Sequence, residues 1–189
     1  MGQMVFPAPT IELNSENGWA LPAEPYVPGR TPRPEGGVIF DIAKRAPLIT
    51  DPGAWSSNET YLAGLRLYAN RYFWEAHEVW EPVWLHARRN SAERELLQGL
   101  IQSANAGLKI VMGRLPAAAR LASMARDRFY EVAARTDAQV MGIDPEPACR
   151  LADAFVLGFE CDPRGMDLAD CPDYAALVHY NADFLMRLE

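Results

Sequence analysis

The sequence predicts an all-α fold, an antiparallel helical bundle with an extended Pro-rich N-terminal arm and an acidic helical C-terminal tail. Three observations carry this expectation. From Asn58 onward apolar residues recur at helical spacing, with no alternating strand pattern and no internal repeat. Nine of the 15 prolines fall before residue 53, so that segment is expected to run extended rather than helical. Charge is also uneven: residues 1–57 hold 4 basic and 6 acidic groups, residues 58–135 hold 11 and 8, and residues 136–189 hold 3 and 11. The chain therefore divides into an arm (1–57), a core bundle (58–135) and an acidic helical extension (136–189). The extension is expected either to fold back on the bundle or to stay a solvated acidic surface.

The elements follow in order. The arm reads as a strap across its own bundle or a neighbouring subunit's, tacked down by Trp19, Tyr26 and Phe40. Pro22-Ala-Glu-Pro25 and Pro25-Tyr-Val-Pro28 also fit a recognition-domain ligand, but that pattern is weak. Asn58 caps a first helix carrying Tyr61, Leu62, Leu65 and Tyr68, and Asn70-Arg71 breaks it. A second helix spans about Tyr72 to Ala87, with Pro82 bending it or tightening its last turn. Asn90 with Glu93 resembles a capping box opening a third helix, which Gly113 closes after about Met112. Pro116 starts a fourth helix through Ala134, Asp144 caps a fifth from Pro145 to Leu157, and a last one covers Asp173 to Leu188. Helices two and three are expected to form the central pair, packed through Trp80, Trp84, Leu100 and Ala104.

Composition excludes several function classes. The chain has 189 residues, 49% hydrophobic and 23% charged, enough to bury a core without disulfides or a structural metal. A net charge of −7 argues against a broad nucleic-acid surface, which needs clustered positive charge. The uncharged central stretch, Leu96 to Leu108, is too short to cross a bilayer, so no membrane partner is expected. No basic start followed by an apolar run marks a signal peptide. Cys149, Cys161 and Cys171 are odd in number and form no Cys-x-x-Cys, which suits free thiols and a cytoplasmic location.

The information lies in Tyr72-Phe-Trp-Glu-Ala-His-Glu-Val-Trp-Glu-Pro-Val-Trp84. On a helical wheel Trp74, His77, Trp80, Glu81 and Trp84 fall within roughly 120°, with Glu78 at the edge and Glu75 pointing away. His77 and Glu81, one turn apart, are thus expected to lie buried in the aromatic stripe and to satisfy each other, with Glu78 in reach. In the third helix Gly99, Ser103 and Gly107 line an edge suited to close helix approach. Gln98, Gln102, Asn105 and Lys109 make an amide-rich stripe suited to hydrogen bonding with a helix or a ligand.

Phe73–Trp84 followed by Leu-Leu-Gln-Gly-Leu-Ile-Gln-Ser-Ala at 96–104 resembles the family called domain of unknown function 309. That family carries an aromatic-Glu-Ala-His-Glu-x-x-Glu-x-x-Trp run and then a Leu-Gln-Gly-Leu-Ile-Gln helix. The resemblance covers roughly residues 58–135 and implies a small helical bundle, with no established activity. The positions it carries over are Glu75, His77, Glu78, Glu81, Trp84, Gln98 and Gln102. Lys109 stands where many relatives would have His or a small polar residue, so a multi-histidine site is not implied.

Three functional readings compete. His77, Glu78 and Glu81 could form a buried network that fixes the core, making the protein a structural or interaction module. They could instead line a pocket for a small polar ligand, with Trp80, Trp84, Gln98 and Gln102 around it, His77 as proton donor or acceptor and Glu81 orienting it. Or they could offer His77, Glu78 and Glu81 to a metal, although the His-Glu-x-x-His pattern is missing. The sequence leaves any cofactor unknown. The apolar content of the arm points to a homodimer that uses it in contacts.

Overall fold

The computed structural model describes residues 19–178. They form six α-helices: α1 (Val38–Lys44), α2 (Glu59–Ala69), α3 (Phe73–His86), α4 (Ala92–Val111), α5 (Leu115–Ala133) and α6 (Pro145–Cys161). Short 3-10 turns lie at Pro52–Ser57, Leu168–Asp170 and Ala175–Leu177. Among the described residues β pairing is limited to isolated bridges joining Val140 to Ile143 and Ile143 to Val178. The fold is all-α, as the sequence predicts.

Local chemistry sets the helix ends. Asn58 accepts a hydrogen bond from the Tyr61 amide at 3.0 Å and starts α2. Arg71, with φ 67°, turns the chain between α2 and α3, where Tyr72 N donates to Leu67 O. The last carbonyls of α3, which a helix cannot satisfy itself, are taken by neighbours. Thr50 Oγ1 donates to Val83 O at 2.6 Å, and Arg94 donates to Trp84 O at 2.7 Å and to Ala87 O at 3.0 Å. The Arg94 guanidinium also lies 4.2 Å from the centre of the Trp84 ring.

α4 is central. It packs on α3 on one side and most extensively on α5 on the other; α2 packs on α3, and α6 on α5. Phe73, Trp80, Leu100 and Ala104 are fully or almost fully buried, while Trp84 is half-buried beneath Arg94. Glu95 of α4, nearly covered, pairs with Arg128 at 3.0 Å and Arg135 at 3.7 Å, tying α4 to the far end of α5.

Five expectations are corrected. The arm is not wholly extended: Val38–Lys44 is helical because it lies between Pro34 and Pro47 and buries Ile39 and Ile42. The cap of α4 is Ser91, whose hydroxyl accepts from Arg94 N, rather than Asn90, which takes a positive φ in the preceding turn. α6 continues four residues past Leu157, to Cys161. The stretch from Asp173 does not begin an α-helix; Ala175–Leu177 is a 3-10 turn leading to the Val178 bridge, and residues 179–188 of that expected helix lie outside the described residues. Finally, the Gly99–Ser103–Gly107 edge takes aromatic side chains from three elements rather than serving one approaching helix. A Cβ on Gly99 would meet Phe129 of α5 at 2.9 Å, a Cβ on Gly107 would meet Phe73 at 2.6 Å, and Ser103 faces Tyr174. Gly64 of α2 likewise leaves room for the Trp80 indole, whose Nε1 donates to Tyr61 O at 3.1 Å.

These notches give a direct expectation. Gly64→Ala or Gly107→Ala gains helix propensity but drives a methyl group into a ring that has no free space. Each is expected to destabilise the protein by about 1–3 kcal/mol in urea unfolding. Parent-like midpoints for both variants would contradict this packing.

Candidate functional site

The rotation of α3 decides which motif residues meet solvent. Its buried arc is Phe73, Ala76, Val79, Trp80 and Val83, all 2% exposed or less. At 100° per residue Glu81 lies about 140° from the centre of that arc and Glu75 about 100° from it. The expected burial is therefore reversed. Glu81 is exposed and His77 half-buried, whereas Glu75 is 1% exposed. Counting tryptophans placed the centre of the stripe too far round; Ala76, Val79 and Val83 turn it toward Glu75.

Glu75 is held by the arm. Its Oε1 accepts the Tyr26 main-chain N–H at 2.7 Å, and Oε2 is buried without a hydrogen-bond partner. The Tyr26 ring stands edge-on to Trp74 at 4.9 Å, and Phe40 of α1 meets Trp74 at 6.1 Å. Trp74, on the side of α3 away from the bundle, is thus covered by the strap and α1. Burial pushes the Glu75 pKa up, the Tyr26 amide opposes this, and the charge of Glu78 adds to it.

His77, Glu78 and Glu81 do share one neighbourhood. Burial raises the Glu78 pKa; His77 pulls it down, Glu81 raises it, and Arg33 from the arm pulls it down. No hydrogen bond joins His77 to Glu81, Gln98 or Gln102 among the described residues, contrary to expectation. Arg94 against Trp84 at one end and Phe73 against Gly107 at the other make α3 and α4 antiparallel. His77 and Glu81 consequently run alongside the stretch of α4 that carries Gln98 and Gln102. Both glutamines are half-buried, and Gln102 Oε1 and Trp84 Nε1 are buried without partners. Trp80 is not a ligand contact: it is fully buried and spends its N–H on Tyr61. Among the described residues no three His, Cys, Asp or Glu side chains are grouped so as to hold a metal ion, so His77, Glu78 and Glu81 do not make such a centre.

Sequence reasoning names Tyr26 as an anchor of the strap but misses its bond to Glu75, and it misses Arg33 altogether, because both come to α3 from more than forty residues away. It also missed a buried polar cluster formed by the hydroxyls of Tyr68, Ser103 and Tyr174 with the thiol of Cys171. All three hydroxyls lack a well-directed hydrogen bond. Burial pushes the Cys171 thiol up to about 12, so it stays protonated and is no nucleophile at neutral pH. The three cysteines are free, with Cys149 and Cys171 buried and Cys161 exposed.

Residues 61–121 match the family model of the domain of unknown function DUF309. The DUF309 match takes in α3, α4, most of α2 and the start of α5; Tyr26, Arg33, α1 and α6 lie outside it. No curated protein and no solved structure gives a significant match. No helix among the described residues is long and apolar enough to cross a membrane.

Two outcomes follow from the reversed burial. His77→Ala removes a half-exposed ring with no hydrogen bond and is expected to change stability by less than about 1 kcal/mol. A loss of several kcal/mol in urea melts would restore the buried-network reading. For Glu75 the sign is different. Its raised folded pKa means the folded chain binds its proton more tightly than the unfolded chain does. Stability from this group is therefore present at low pH and lost as pH rises from the ordinary carboxylate range through the raised value. Glu75→Gln keeps an acceptor for the Tyr26 N–H and removes the charge. It is expected to equal or exceed the parent at neutral pH, with any advantage fading on acidification, while Glu75→Ala costs about 1–3 kcal/mol. A Gln variant whose relative stability falls as pH rises would show the opposite linkage.

Proposed function

We propose that this chain binds a small polar ligand on the open edge of α3, through His77, Glu78 and Glu81, with Gln98 and Gln102 of α4 beside them. The observation that supports this reading is that, among the described residues, the side chains of His77 and Glu81 have no internal hydrogen-bond partners. Motif side chains of the DUF309 match that the fold does not use for itself remain free to contact something else. Glu75, from the same motif, is consumed by the fold and is not part of the ligand site.

Two carboxylates flanking an imidazole select a ligand rich in N–H or O–H donors, such as an amine, a guanidine or a polyol. His77 offers an imidazole nitrogen and Glu81, one turn on, a carboxylate. Because no hydrogen bond joins the two, binding stands ahead of catalysis in this reading.

Native mass spectrometry of freshly purified protein, with elemental analysis in parallel, tests it. A retained organic mass is expected, lost in His77→Ala and Glu81→Ala variants that melt like the parent. The reading fails if nothing is retained and the His77 imidazole resonances stay unmoved by millimolar spermidine, arginine and glucose. Near-stoichiometric metal would overturn it in favour of a metal site.

A further inference from the structure

Three bundle side chains read the main chain of the arm. Arg66 donates to Trp19 O at 3.2 Å, Tyr72 donates from its hydroxyl to Pro22 O at 2.8 Å, and Glu75 accepts from Tyr26 N at 2.7 Å. Two aromatic contacts flank them: the Trp19 ring beneath the Arg66 guanidinium at 4.5 Å and the Tyr26 ring against Trp74. All four bundle residues lie within the DUF309 match, and the arm lies outside it. A surface that holds a chain by its carbonyls and one amide, with aromatic contacts at each end, has the chemistry of a peptide-binding groove.

We infer that the α2–α3 face formed by Arg66, Tyr72, Trp74 and Glu75 is a recognition site for irregular, proline-rich peptide, and that residues 19–31 are its built-in occupant. The partner chemistry follows from the donor count. The groove offers donors to two carbonyls but an acceptor to one amide, which suits a chain whose prolines lack N–H groups and are stiff before binding. Pro22 and Pro25 meet that requirement between the two aromatic anchors. The turn that follows, where Val27 N donates to Thr31 Oγ1 and Val27 O accepts from Arg30 N, leads the chain out of the groove. Tethering places the arm at an effective concentration on the order of millimolar, so it shields the groove from weaker competitors.

Severing the tether in the folded full-length chain tests the inference. Gly36 and Gly37 have open space around them, so a protease recognition sequence inserted there leaves the packing intact. After cleavage the N-terminal fragment is expected to co-elute with the bundle. Excess synthetic peptide Trp19–Thr31 is expected to displace it, whereas the same peptide N-methylated at Tyr26 does not. Tyr72→Phe, which removes one donor and leaves the ring, is expected to speed fragment loss roughly tenfold. A fragment that separates at once from a still-helical bundle, or displacement by both peptides equally, would overturn the assignment. So would a fragment that no peptide displaces and Tyr72→Phe does not loosen, since it would then be an ordinary part of the core.

Discussion

An aromatic ring lodged where a glycine leaves no Cβ fixes three helix contacts in this bundle, α2 on α3, α3 on α4 and α4 on α5. Phe73 fills the gap at Gly107, Phe129 the gap at Gly99, and Trp80 the gap at Gly64. A ring in such a notch resists both sliding along the neighbouring helix and turning about its own, because either motion drives it into backbone. Together the three notches tie α2, α3, α4 and α5 into one register. Arg94 then closes the α3–α4 corner by taking the last carbonyls of α3.

The rotation of α3 follows from these contacts, and the chemistry of its polar residues follows from the rotation. With Phe73 and Trp80 committed to notches, Glu75 must lie beside the buried arc, where an unpaired carboxylate is costly. The arm resolves part of that cost by donating one amide hydrogen bond to it. Together with α1 it also covers Trp74, which lies on the side of α3 away from the bundle. The strap is thus a consequence of how the core is keyed. Its attachment is mostly main chain to side chain, so it depends on the shape of the arm more than on its sequence.

Much of this was legible in the sequence. The Asn58 cap, the Arg71 break, the extent of α3 and the family motif are local features, and local chemistry settles them. The burial order within α3 was not legible by counting aromatics, because Ala76, Val79 and Val83 bury little surface each yet together define the inner arc. α1 was hidden by the prolines around it; seven residues make a helix only where Ile39 and Ile42 find a core to pack on. The Tyr26–Glu75 bond spans 49 residues and leaves no periodic trace in either segment.

Three glutamates of one helix end in three environments, and the sequence of those environments carries the functional logic. Glu75 is inside and bound to the arm; Glu78 lies at the boundary, between Arg33 of the arm and His77; Glu81 is outside. A purely structural role accounts for the first and needs neither of the others. A solvent-exposed carboxylate one turn from a half-buried histidine contributes almost nothing to stability. Arg33 connects the two regions, since the same arm that occupies the Glu75 groove brings a cation to the edge of the His77 site. In the proposed site, a movement of the arm would change the charge that Glu78 feels, and with it the attraction of that site for a cationic ligand.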